Sequence, residues 1–106
     1  MGDLSQKATI IVNILEQLDA KSNEKRTNIY AILDKLETVN LKDILPNEED
    51  YELDCLRCEM TQKSVSTTLA SLNRKGVVYK TGVTSVKVNG ENKNIRCYYL
   101  IDNCSE

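Results

Sequence analysis

Met60-Thr61-Gln62-Lys63-Ser64-Val65-Ser66-Thr67-Thr68-Leu69-Ala70-Ser71-Leu72-Asn73-Arg74-Lys75-Gly76-Val77-Val78 carries a single narrow apolar stripe. Val65, Leu69 and Leu72 recur at i, i+4, i+7, a spacing that aligns them on one side of a helix. The opposite side holds Lys63, Ser66, Thr67, Ala70, Ser71 and Arg74, which are small, polar or basic and never acidic. Thr61 stands where it can cap a helix over about 62–75. Gly76 ends that helix before two valines begin a strand. Serine and threonine are mediocre helix formers, so the three Ser and two Thr between 64 and 71 call for a reason other than propensity. A DNA-reading helix supplies one: small residues admit the backbone deep into a major groove, where hydroxyl, amide and basic groups meet phosphates and base edges.

Beyond Gly76 the pattern turns to strands, Val77–Thr81 and then Val83–Val88, with Val86 and Val88 on one face. Asn89-Gly90 is a hairpin signal inside a polar tip over 89–94. The return strand is expected from about Ile95 to Ile101, with Ile95, Cys97, Tyr99 and Ile101 alternating against Arg96, Tyr98, Leu100 and Asp102. On the other side of the quoted stretch, Asn47-Glu48-Glu49-Asp50 offers a capping Asn and three carboxylates where the helix dipole favours them. That helix should reach about Cys58, with Tyr51, Cys55 and Cys58 sharing a face and Leu53 and Leu56 at its sides. Pro46 separates it from Leu41–Leu45, an apolar connector of about one turn.

Farther upstream, Ser22 or Asn23 is expected to cap a helix running to about Thr38. Ile29, Ile32, Leu33, Leu36 and Val39 give it one clean stripe. The first helix should span about Leu4 to Leu18, capped by Ser5 or Asp3. Ala8, Ile10, Ile11, Val12, Ile14, Leu15 and Leu18 cover roughly half its circumference, more than one-sided packing uses. Such a helix is wedged between elements of its own domain, or it also faces a second subunit.

A chain of 106 residues with 41% apolar and 28% charged content fits one soluble domain, 1–106. The net charge of −2 hides an asymmetry: residues 1–56 carry 6 Lys/Arg against 12 Asp/Glu, and residues 57–106 carry 8 against 4. A basic C-terminal half on an acidic N-terminal half suits a domain with one phosphate-facing side. No apolar run approaches membrane-span length, so no membrane partner is expected. The N-terminus lacks the order of a signal peptide and matches a myristoylation site poorly. The expected location is cytoplasmic.

From residue 24 the order helix, helix, short turn, helix, strand, hairpin resembles a winged helix-turn-helix domain of the kind found in MarR-like and ArsR-like transcription regulators. The resemblance covers about 24–102 and is strongest from Leu53 to Val78. Cys55 and Cys58 fall where such domains put a small and an apolar residue on the second helix. Met60-Thr61-Gln62 looks like the turn into the recognition helix, and Asn73-Arg74-Lys75-Gly76-Val77-Val78 looks like its exit into the wing. The chain departs from the pattern at Glu59, where the tight turn often has Gly, and in its long acidic connector 40–50. The resemblance implies an α+β, mostly α fold: an additional N-terminal helix within 1–22, then a winged helix-turn-helix over 23–106 with hairpin 83–101 as wing. It implies a sequence-specific binder of double-stranded DNA, a small transcriptional regulator acting as a homodimer through its first helix.

Roles then follow from position. Gln62, Lys63, Ser66 and Thr67 occupy the half of the helix that enters the groove, where Gln62 can bond an adenine edge and Lys63 a guanine or a phosphate. The Thr61 backbone N–H can meet a phosphate. Arg74 suits the DNA backbone, and Lys87, Lys93 and Arg96 suit the adjacent backbone or minor groove. The alternative is a winged-helix module that binds a protein partner through its acidic half, without DNA.

Four cysteines form the other constellation. Cys55 and Cys58 have Cys-x-x-Cys spacing, followed by Cys97 and Cys104. Zinc could use four thiolates, and a redox switch could use a pair. The favoured reading is structural, with Cys55, Cys58 and Cys97 as small core residues, no metal and no cofactor. Catalysis has little support: the chain has no His, no Gly-rich phosphate loop and no nucleophile elbow, and it is not expected to be an enzyme.

Overall fold

Ser5 opens the first helix, α1 (Gln6–Gln17), by accepting the Ala8 N–H at 3.1 Å. The computed structural model describes residues 5–101, so the alternative cap Asp3 lies outside the described residues. α1 ends with Asp19 in the left-handed region at φ 58°, and the Ala20 N–H returns to the Leu15 carbonyl. The next helix starts later than its sequence suggests. Residues Asn23–Lys25 form one 3-10 turn, and Thr27–Asn28 form a short strand, β1. α2 (Ile29–Thr38) is capped by Asn28, whose Oδ1 accepts the Ala31 N–H at 3.0 Å, rather than by Ser22 or Asn23. Both candidates lie ahead of residues drawn into the sheet, and sheet pairing overrides the local capping signal.

The one-turn helix α3 (Leu41–Ile44) occupies the connector ahead of Pro46. α4 (Asp50–Glu59) begins at a capping box formed by Glu49 and Glu52, two residues beyond the expected Asn47. α5 (Gln62–Arg74) lies where the serine-threonine pattern puts it, with Thr61 Oγ1 accepting the Ser64 N–H at 3.3 Å. It stops at Gly76, whose φ of +79° lies in the region other residues enter at a cost. The Val77 N–H then closes back onto the Leu72 carbonyl at 3.0 Å.

The strands β2 (Val78–Val88) and β3 (Glu91–Leu100) meet at Asn89 (φ 53°) and Gly90 (φ 82°). Positive φ at both central residues makes the turn a two-residue link, so the polar tip over 89–94 is mostly strand. β1 pairs antiparallel with β3, giving a sheet of order β1-β3-β2. A bulge between Lys80 and Val83 interrupts the β2–β3 ladder. The buried Thr81 fills it, with its Oγ1 accepting the Cys97 N–H at 3.0 Å and donating to the Gly82 carbonyl at 2.9 Å. The architecture is α+β and predominantly helical, and no described helix is long and apolar enough to cross a membrane.

α1 lies at the centre. It packs on α2, α3, α5 and β3, and Ile10, Ile11, Ile14 and Leu15 are fully buried. Its wide apolar arc is therefore consumed inside the chain, which removes the reason for assigning it a dimer contact. α5 packs on α1, α2 and β2 through Val65, Leu69 and Leu72. The α4 face also differs from its sequence reading. Leu53 and Leu56 point inward, whereas Tyr51, Cys55 and Cys58 are exposed. Cys55 and Cys58 are thus not core residues, because the apolar pair three residues apart decides which side of α4 meets the protein. Cys97 is 2% exposed and does belong to the core. Arg57 fastens α4 to α2: its guanidinium donates to the Leu36 carbonyl, and also to the Val39 carbonyl at 2.8 Å.

Candidate functional site

Capping by Thr61 and burial of Val65, Leu69 and Leu72 fix the rotation of α5. That rotation turns Gln62, Lys63, Ser66 and Thr67 outward. β3 runs beside them and brings Asn94, Ile95, Arg96 and Tyr98 to the opposite wall of an open groove of about 670 Å³. Ile29 and Val83 complete the lining, which among the described residues holds two cationic side chains and no carboxylate. Arg96 is held in place by donating to the Thr81 carbonyl at 3.3 Å, so the bulge in β2 also orients a groove cation. Burial raises the Tyr98 pKa above its usual value, against the pull of the neighbouring Arg96 charge, and the phenol stays a neutral hydrogen-bond donor and acceptor. A surface of two cations, two hydroxyls, two amides and a phenol can bind anionic oxygens and polar edges.

The structure thus gathers five of the nine sequence-derived candidates, Gln62, Lys63, Ser66, Thr67 and Arg96, around one groove. Thr61 borders a shallower hollow beside it, with Lys7, Lys63, Ser64, Thr67 and Thr68. The Thr61 backbone N–H, expected to face a phosphate, is donated to the Glu59 carbonyl at 2.9 Å. Arg74 lies at the far, C-terminal end of α5. Lys93 pairs with Glu91 at 3.9 Å. Lys87 lines a different depression, between the hairpin tip and α2, with Asn28, Tyr30, Asp34 and Glu37. The last two therefore stand among carboxylates of their own surface.

Lys7, Asn94 and Tyr98 are the residues that sequence reasoning missed. Asn94 looked like loop, and Tyr98 differs from its neighbours only in where the sheet puts it. Lys7 had no local signal at all, because it reaches α5 from another helix. Glu59, the carboxylate nearest the α5 N-terminus in sequence, is paired with Lys7 at 3.6 Å. The acidic connector is treated similarly: Lys42 donates to the Glu48 carbonyl at 2.7 Å and lies 3.8 Å from Asp50.

Among the described residues, no group of three or more His, Cys, Asp or Glu could hold a metal ion. Cys55 and Cys58 are exposed on α4, Cys97 is buried in the sheet, and Cys104 lies outside the described residues. No family model, curated protein or solved structure matches the chain.

Proposed function

We infer that the protein is a sequence-specific double-stranded DNA-binding protein, a small transcriptional regulator of winged helix-turn-helix type. On this reading α5 enters the major groove with Gln62, Lys63, Ser66 and Thr67 foremost, and the β2–β3 hairpin is the wing. The observation that carries it is the groove in which those four side chains face Arg96 and Asn94, with no carboxylate among its described lining residues. The element order supports the winged-helix reading: three mutually packed helices, α1, α2 and α5, then a hairpin, with β1 beside β3. α3 and α4 then form an insertion between the second and third of those helices, and the preceding helix of the motif is α2 rather than α4. A homodimer would use a surface other than the apolar arc of α1.

A second reading, a protein-binding module, rests on the exposed face of α4, where Tyr51 is 67% exposed beside Asp50, Glu52 and Asp54. Selection of bound sequences from a random duplex pool decides between the two. The DNA reading expects an enriched motif and an affinity that falls steeply with salt through counterion release. Lys63→Ala and Arg96→Ala should each lower the salt slope by about one. No retention of duplex at low salt would end this reading and leave the protein-binding one.

A further inference from the structure

Cys55 and Cys58 are free and exposed, and neither lines the groove. Their spacing puts them on adjacent turns of one face of α4. Between them, Arg57 turns the other way and holds the Leu36 and Val39 carbonyls at the end of α2. Just past α4, Met60 is 4% exposed and leads directly into Thr61, the cap of α5. Two accessible thiols therefore bracket the side chain that fastens α4 to α2, one turn ahead of α5.

We propose that Cys55 and Cys58 are a thiol modification site, converted by a low-molecular-weight disulfide such as oxidised glutathione into an intrachain disulfide. One cysteine loses its proton to solvent, and its thiolate attacks the small disulfide. A mixed disulfide forms and one small thiolate leaves. The second cysteine then loses its proton and attacks the protein sulfur of the mixed disulfide, so that the Cys55–Cys58 bond forms and the second small thiolate leaves. The protein dithiol gives up two electrons and two protons, and the small disulfide gains both. Neighbouring positions on one helix make the second step intramolecular.

The bond does not fit a regular helix. Residues three apart keep their Cβ atoms about 5–6 Å apart, whereas a disulfide brings them to about 3.5–4.5 Å. Closure must draw the turn inward by about 1 Å or more. Cys58 is the penultimate residue of α4, where the helix yields most easily. Arg57 lies inside the closed loop, so oxidation loosens its hold on α2 and unseats Met60. Exposed or strained disulfides are the readily reduced kind, which makes the change reversible. The site stands whether or not the groove binds DNA.

The test equilibrates the full chain in glutathione redox buffers, maps linkages by peptide mass spectrometry and follows amide hydrogen exchange. A reversible Cys55–Cys58 linkage is expected, with exchange at Val39, Glu59 and Met60 about tenfold faster in the oxidised form. Cys55→Ser and Cys58→Ser should each abolish the acceleration. Reduced Arg57→Ala should reproduce it at Val39 without oxidant. Stable mixed disulfides, interchain links or links through Cys97 or Cys104 as the main products would overturn the proposal. So would a Cys55–Cys58 bond that leaves exchange at Val39 and Met60 unchanged.

Discussion

Replacing Arg57 with alanine tests how this fold joins its central helices to the arm that leads into α5. The last carbonyls of a helix have no partners within it, and α2 ends at Thr38. Arg57 meets two of these needs at once, donating to the Leu36 carbonyl and to the Val39 carbonyl at 2.8 Å. A hydrogen bond from a charged donor is worth roughly 1.5–3 kcal/mol. The guanidinium is half-buried, so the lower end applies to each bond, with a few tenths of a kcal/mol more from a cation at a helix C-terminus. Arg57→Ala should therefore cost about 2–3 kcal/mol, the two bonds not being fully additive. At roughly 4–8 °C per kcal/mol for a chain of this size, the melting temperature should fall by roughly 10–20 °C. Urea and thermal unfolding followed by far-ultraviolet circular dichroism measure both quantities. Arg57→Lys keeps the charge but cannot span two carbonyls, and it should recover about half of the loss. A cost below about 0.5 kcal/mol for Arg57→Ala would refute the reasoning, because that is the size of an ordinary surface substitution. Full recovery by lysine would refute the two-point contact while leaving the charge effect.

On the DNA reading, Glu59→Gln releases Lys7 from its ion pair toward the hollow beside the α5 N-terminus, and duplex affinity at low salt should rise roughly threefold. Fluorescence anisotropy measures it, and weaker binding would show that the pair holds Lys7 in a productive position instead. Thr81→Val leaves the Cys97 N–H without its acceptor inside the sheet and should cost about 1–3 kcal/mol in chemical unfolding. An unchanged denaturation midpoint would mean that the bulge does not depend on this hydroxyl. Because burial raises the Tyr98 pKa above the usual 10.0, its share of stability is fully present below pH 10.0 and is lost as pH rises through the higher folded value. Tyr98→Phe should flatten the alkaline limb of the stability profile, and an identical limb in both proteins would contradict that assignment.

The limits of α5, its buried side and its stop at Gly76 were legible in the residues from Thr61 to Val78, because capping and helical periodicity act within about four positions. The hairpin was legible in Asn89-Gly90, although its tip was read too long: polar residues on an exposed strand resemble a loop in composition. Four of the groove residues could likewise be named from α5 alone. Tertiary structure decided the rest. Whether the broad arc of α1 met its own chain or a second subunit depended on α2, α3, α5 and β3 closing around it. Which side of α4 faced water was set by Leu53 and Leu56 docking, and that choice exposed Cys55 and Cys58. Arg96 joined the groove while Lys87 and Lys93 did not, because strand register and the bulge at Thr81 separate residues that look equivalent along the sequence. Lys7 reached Glu59 across about half the chain. Local rules determine where an element begins, ends and turns its apolar side; which neighbour fills that side, and which charges meet, depends on contacts between residues too far apart in sequence for any periodicity to register.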